Sequence, residues 1–102
     1  MGKAFEITVW KPHAGMWSDA MKNIKEVAAI FKDAGVSDVI ILEGSIGKDV
    51  GNIMVIQTYK GLADNGAINE KLGSHPAFQD WMKAHGKDNY GSLVSHDLYV
   101  EA

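Results

Sequence analysis

The sequence predicts an α+β fold, a four-stranded antiparallel sheet with helices on one face. Three observations carry this expectation. Four short segments, Lys3–Lys11, Ser37–Gly44, Asn52–Lys60 and Ser92–Val100, read as strands because they gather β-branched and aromatic residues between turn residues. Two helical stretches separate them in the order strand, helix, strand, strand, helix, strand. The second and third strands are apolar at consecutive positions (Val39, Ile40, Ile41, Leu42; Ile53, Met54, Val55, Ile56), whereas an antiparallel sheet that meets water on one side should alternate. Two helices cover only one face of such a sheet. The other face is expected to meet a second copy of the chain.

Each element has its own signal. In the first strand Phe5, Ile7 and Val9 alternate with Glu6, Thr8 and Trp10, and Pro12 closes it before the turn His13-Ala14-Gly15. From Met16 the period lengthens: Trp17, Met21, Ile24, Val27, Ala28 and Phe31 recur at three- and four-residue steps opposite Lys22, Lys25, Glu26, Lys32 and Asp33. Gly35 stands where a left-handed cap belongs. Gly44 to Gly51 is a glycine-punctuated hairpin between strands two and three. Its Gly-Lys-Asp run is no phosphate loop, because a strand follows it and no Ser or Thr follows the lysine. The second helical region is broken. Leu62–Leu72, with Leu62, Ala63, Ile68 and Leu72 able to face the sheet, is interrupted by Gly73-Ser74-His75, and Pro76 starts a further piece that ends at His85. Phe78, Trp81 and Met82 form its apolar face. A polar loop, Gly86 to Gly91, leads into the last strand.

Composition narrows the function classes. The 102 residues make one domain, 1–102, with 46% hydrophobic and 23% charged residues, ordinary for a globular protein. A net charge of −3 and scattered lysines give no electrostatic reason to expect nucleic acid. The absence of cysteine removes disulfides, thiolate nucleophiles and sulfur-ligated metals, and fits a cytoplasmic setting. Met1 to Glu6 is too polar for a signal peptide, and no apolar run has the roughly 20 residues of a membrane span, so no membrane partner is expected.

Three local features narrow the fold further. These are Ala34-Gly35 leading into strand two, the glycine hairpin before Asn52-Ile53-Met54-Val55-Ile56-Gln57-Thr58-Tyr59, and the break rejoined as His75-Pro76-Ala77-Phe78-Gln79-Asp80-Trp81. With the element order, this pattern resembles the ferredoxin-like fold and, more narrowly, the dimeric α/β-barrel superfamily, which includes antibiotic-biosynthesis-type monooxygenases and stress-responsive barrel proteins. The resemblance covers nearly the whole chain. It implies a strand order of 4-1-3-2, a homodimer formed through the helix-free face, and a cavity between sheet and helices or in the shared barrel. Monooxygenases of the haem-degrading type use an Asn, Trp and His set. Here Glu6 and Thr8 stand on strand one instead of Asn, and Tyr59 ends strand three instead of Trp, so that chemistry is not carried over.

Four histidines, His13, His75, His85 and His96, lack the spacing that places two ligands on one helix face, so no metal and no cofactor is expected. His96, flanked on its strand by Val94 and Leu98, is the one expected to be buried, with Glu6 on the adjacent strand as its hydrogen-bond partner. That pair is either structural or a general base in a cavity. His75 precedes Pro76 and is either a helix cap or an entrance residue at a gate. The catalytic candidates are therefore His96, His75 and Glu6. Three Trp, three Phe, three Tyr and five Met provide large, polarisable surfaces near strand ends and on helix faces. Trp10, Trp17, Tyr59, Phe78, Trp81 and His96 are the expected lining of a pocket for a small apolar ligand, fatty-acid-like or an aryl carbonyl. Two further readings stay open: a cofactor-independent monooxygenase or isomerase acting on such a molecule, and an interaction module with no cavity.

Overall fold

In the computed structural model, which describes residues 2–102, the chain runs β1 (Ala4–Pro12), α1 (Trp17–Ala34), β2 (Asp38–Glu43), β3 (Ile53–Tyr59), α2 (Leu62–Leu72), α3 (Pro76–His85) and β4 (Gly91–Val100). All strand pairs are antiparallel, in the order β2-β3-β1-β4. Read from the other edge this is the expected 4-1-3-2, and the fold is ferredoxin-like. The Cα atoms span 40 × 33 × 16 Å. The thin dimension holds a sheet and one layer of helices, each about 10 Å across, and no second layer.

The two faces of the sheet are set by register. Val9 pairs with Met54, Ile7 with Ile56 and Phe5 with Thr58, while Ile56 and Met54 pair with Ile40 and Leu42. These residues share the helix-free face. Ile40 and Leu42 are 42% and 46% exposed, and Val9 is the buried residue among them. The helix-covered face carries Ala4, Glu6, Thr8 and Trp10 of β1 with Ile53, Val55, Gln57 and Tyr59 of β3. The strand that alternates most clearly thus turns its polar residues inward, beneath the helices, and its aliphatic ones outward.

The core lies between this face and the helices, around Ala4, Ala20, Ala28, Val39, Ile53, Val55, Tyr59, Ile68 and Leu72. Small residues let the helices approach closely: Ala20, Ala28 and Ala34 are the buried positions of α1. Gly35 ends α1 with φ 115°, a left-handed conformation that favours glycine, and its N–H donates to the Lys32 carbonyl at 3.1 Å. Of the four residues of α2 able to face the sheet, Ile68 and Leu72 are buried, whereas Leu62 and Ala63 are exposed. Both lie in the first turn of the helix, shortly after the end of β3.

The break between α2 and α3 is closed by hydrogen bonds. Gln79 Nε2 donates to the carbonyls of Leu72 and Gly73, at 3.3 and 2.9 Å, satisfying the end of α2 from the start of α3. α3 buries none of its residues fully and packs on α1 through tilted Phe31 and Phe78 rings 5.9 Å apart. Among the described residues no helix is long and apolar enough to cross a membrane.

Candidate functional site

Between the sheet and the helices lies a cavity of about 570 Å³. Its floor is β1, β3 and β4, its roof α1 and α3. Glu6, Thr8 and Trp10 project into it because they alternate on the inward face of β1, beside Val55 and Gln57 of β3. α1 contributes a stripe at three- and four-residue steps, Ala20, Asn23, Ile24, Val27 and Phe31, and α3 contributes Phe78 and Trp81, three residues apart on one helix face. Phe78 and Trp81 stack with centroids 6.2 Å apart, and Trp81 meets the His85 ring at 5.5 Å. The wall is mostly aromatic and aliphatic.

The polar chemistry gathers at Glu6. Its Oε2 lies 2.6 Å from His96 Nε2, and its Oε1 accepts from Asn65 Nδ2 at 2.9 Å and Asn69 Nδ2 at 3.3 Å. Burial raises the carboxyl's pKa, but the hydrogen bonds from His96, Asn65 and Asn69 outweigh it and hold Glu6 below its ordinary value of 4.5. With Nε2–H donating to Glu6, a neutral imidazole keeps its lone pair on Nδ1, which has no hydrogen-bond partner among the described residues. The geometry is that of a carboxylate-oriented base. Trp10 Nε1 donates to Thr8 Oγ1 at 3.0 Å, which fixes the indole across the floor.

The expected pair of Glu6 and His96 is present, but His96 is not the buried histidine. Its side chain is 51% exposed, against 13% for His75. β4 is an edge strand beyond the helix layer, so one side of the ring stays open. His75 does not line this cavity, although Gly73 and Phe78 on either side of it do. It caps α3, its Nδ1 accepting from the Phe78 N–H at 3.3 Å, and its Nε2 lies 3.3 Å from Asp33 of α1. Both ring nitrogens thus have a neighbour within hydrogen-bond distance. Of the expected lining, the structure brings together Trp10, Phe78, Trp81 and His96. Trp17 stands about 60° round α1 from the centre of the cavity stripe, on the outer surface with Met21 and Lys25. Tyr59 is fully buried in the core opposite Ala4, its hydroxyl donating to Gln57 Oε1 at 3.0 Å. Burial and the Glu6 charge raise its pKa well above the ordinary value, so it stays a neutral phenol.

Sequence reasoning missed Asn23, Gln57, Asn65, Asn69 and Tyr90. The signal for the first was an amide interrupting the apolar stripe of α1. For Asn65 and Asn69 it was two amides four residues apart, hence on one face of α2. Among the described residues no three of His, Cys, Asp and Glu converge as metal ligands.

No protein-family model matches the chain, and no curated protein matches it. Solved structures share its fold. A NIPSNAP family protein of unknown function from Agrobacterium tumefaciens superposes with a TM-score of 0.76 at 16% identity, over 99% of this chain and 89% of its own. SnoaB, a cofactor-independent oxygenase from Streptomyces nogalater, in its N63A form, gives 0.69 at 14% identity over 97% and 92%. An antibiotic biosynthesis monooxygenase-like protein from Nitrosomonas europaea gives 0.71 at 12% identity over 99% and 92%. These likenesses establish the ferredoxin-like fold that such proteins share.

The Glu6 network has a pH signature. A carboxyl whose pKa is lowered by folding contributes stability that is present above its ordinary value of 4.5 and lost as pH falls through its lower folded value. Glu6→Gln is expected to cost about 1–3 kcal/mol at pH 7, the scale of hydrogen bonds to a charged group. The difference from the wild type should shrink below pH 4.5, measured by urea unfolding across the acid range.

Proposed function

We propose that the chain is a homodimer whose cavity binds a small, elongated or planar apolar molecule with a carbonyl or carboxylate end. The cavity itself carries this reading. Its volume of about 570 Å³ falls within the roughly 300–1,000 Å³ of small-molecule sites. Trp10, Ile24, Val27, Phe31, Phe78 and Trp81 supply an apolar wall, and the polar groups are few and localised. Each methylene removed from water there contributes about 0.8 kcal/mol, so a chain of several reaches micromolar affinity after the cost of immobilisation. A formed cavity also weighs against a bare interaction module. A long-chain fatty acid or an aryl ketone is expected to quench tryptophan emission saturably and to raise the melting temperature. Trp10→Phe or Trp81→Phe should remove most of the quenching. No change with either ligand near saturation would refute the reading.

A second reading, a cofactor-independent monooxygenase or isomerase, is favoured by the Glu6–His96 pair at the cavity wall. It is also favoured by the likeness in fold to a cofactor-independent oxygenase. His96 Nδ1 would take the proton from an acidic C–H or O–H of the bound molecule, Glu6 stabilising the imidazolium that forms. The proton on carbon is the readable one. An aryl ketone incubated in D2O should exchange its α-hydrogens faster with wild-type protein than with His96→Ala, while binding to both. Equal exchange leaves the binding reading alone.

The homodimer rests on the helix-free face, where Phe5, Ile7, Ile40, Leu42, Met54 and Ile56 form a contiguous apolar surface with no helix over it. Ile56 sits at its centre, between Ile7 and Ile40. Ile56→Lys is expected to yield monomer or aggregate in sedimentation at micromolar concentration. A wild type that sediments as a monomer there contradicts the assembly.

A further inference from the structure

The permanent charges that reach the cavity are all of one sign. Glu6 and Asp88 line it, and among the described residues none of the chain's lysines does; the chain has no arginine. The two carboxylates stand at opposite ends. Asp88 shortly precedes Gly91, which pairs with Pro12, and along β1 Pro12 lies about 20 Å from Glu6. At that far end His85 touches both Asp88 and Glu26, so even a charged imidazole leaves the cluster net negative. Desolvation, and then the charges of Asp88, Asp19 and Glu26, raise the pKa of the Tyr90 phenol in the same wall. At the near end Glu6 is held ionised by its hydrogen bonds. A ligand carboxylate would lose its water in an aromatic enclosure and meet no permanent cation there, whichever way the molecule entered.

The floor nevertheless offers a donor. Tyr59 donates its hydroxyl proton to Gln57 Oε1, which leaves the NH2 as the free end of that amide. Gln57 Nε2 donates to no group among the described residues, and it is not one of the unpartnered atoms shut off from solvent. Gln57 lines the cavity from a central strand beneath the helices, so the solvent its NH2 meets is that of the cavity. We infer that this cavity prefers an uncharged carbonyl compound, a ketone, ester or amide, over a carboxylate, with Gln57 Nε2 donating to the carbonyl oxygen and Glu6 repelling an anion. The inference rests on the apolar-ligand reading above and narrows its polar end to one chemistry. Gln57 pairs directly with Glu6 across β3 and β1, which places their Cβ atoms about 5 Å apart. An oxygen bound by Gln57 therefore lies beside the carboxylate, where a carbonyl dipole is tolerated and a full negative charge is not. An ammonium group gains little in its place, because the Glu6 oxygens already hold His96, Asn65 and Asn69. Tyr59 acts as a positioning residue, fixing the amide from the core.

Four probes on one framework test this by equilibrium dialysis: 2-ethylnaphthalene, 2-acetonaphthone, methyl 2-naphthoate and the 2-naphthoate anion, at pH 8, where an ordinary imidazole is neutral. In the wild type the ketone and the ester should each bind roughly three- to tenfold more tightly than the hydrocarbon. The anion should bind roughly tenfold or more weakly than its ester. Gln57→Met keeps the side chain's length and removes the donor, so the ketone should fall to the hydrocarbon's affinity while the hydrocarbon is unchanged. Glu6→Gln should bring the anion to within about threefold of the ester. If either variant does not fold, the wild type still decides: the ratio of anion to ester stands by itself, and the carbonyl stretch of the bound ketone should lie at lower frequency than in hexane. An unshifted stretch, a ketone advantage that survives Gln57→Met, an anion that binds as tightly as its ester, or a rejection that survives Glu6→Gln overturns the inference while leaving an apolar cavity. Failure to retain even the hydrocarbon overturns the apolar-ligand reading, and this inference with it.

Discussion

Glu6 stands on a central strand with its side chain beneath the helices, where an ionised carboxylate is costly unless hydrogen bonds replace its water. Three donors from two other elements answer it: Asn65 and Asn69 of α2, and His96 of β4. Each bond also fixes a position. The amides hold α2 to the sheet, although only Ile68 and Leu72 of that helix are buried, and the imidazole fixes β4 against β1 where Thr8 and His96 are paired. Glu6, Thr8 and Gln57 make the floor polar, and its hydrogen bonds run to neighbours on the sheet and α2 and not to the roof. Trp10, Phe31, Phe78 and Trp81 stand around the space above it and wall it.

Most of the architecture was legible in the sequence. The change of period from two to about 3.6 at Met16, the left-handed Gly35 and the proline at the start of α3 each set a boundary that lies within a residue or two of the observed one. Consecutive apolar positions in strands two and three led directly to a sheet with two apolar faces. The site was legible in part. Periodicity says which residues share a face and leaves open which layer that face meets, so the inward turn of Glu6 and Thr8 became visible only from the register. Size also misled. Trp17 and Met21 drew the stripe of α1 toward bulky residues, whereas the cavity is lined by Ala20 and Asn23 beside Ile24, Val27 and Phe31. Tyr59 was placed by its bulk near a strand end, but opposite Ala4 there is space for its ring inside the core. His96 looked buried between Val94 and Leu98 because an edge strand cannot be recognised from its own sequence.

α3 depends on side chains at its two ends more than on burial. His75 and Asp33 meet at its start, His85 and Glu26 at its end, and Phe31 with Phe78 between them. These contacts all reach α1, so the roof of the cavity is one helical hairpin laid across the sheet. His85 Nδ1 also lies 2.6 Å from Asp88, ahead of β4, which brings the last loop into the same assembly. Polar contacts at the rim thus tie α3 to α1 and to the last loop, while the interior between them is largely aromatic.

The irregularity in β4 has a consequence for the chain's tolerance of length change. Trp10 pairs with Leu93 and Thr8 with His96, so two steps along β1 correspond to three along β4, and Val94 is the supernumerary residue. In a regular strand, losing one residue turns every later side chain to the opposite face. Here a deletion between Ser92 and Ser95 can be absorbed by closing the bulge, leaving His96 against Glu6 and an aliphatic residue against Trp10. β4 carries slack of one residue beside the cavity. Drift in the length of this edge can therefore alter the curvature of the rim without disturbing the imidazole.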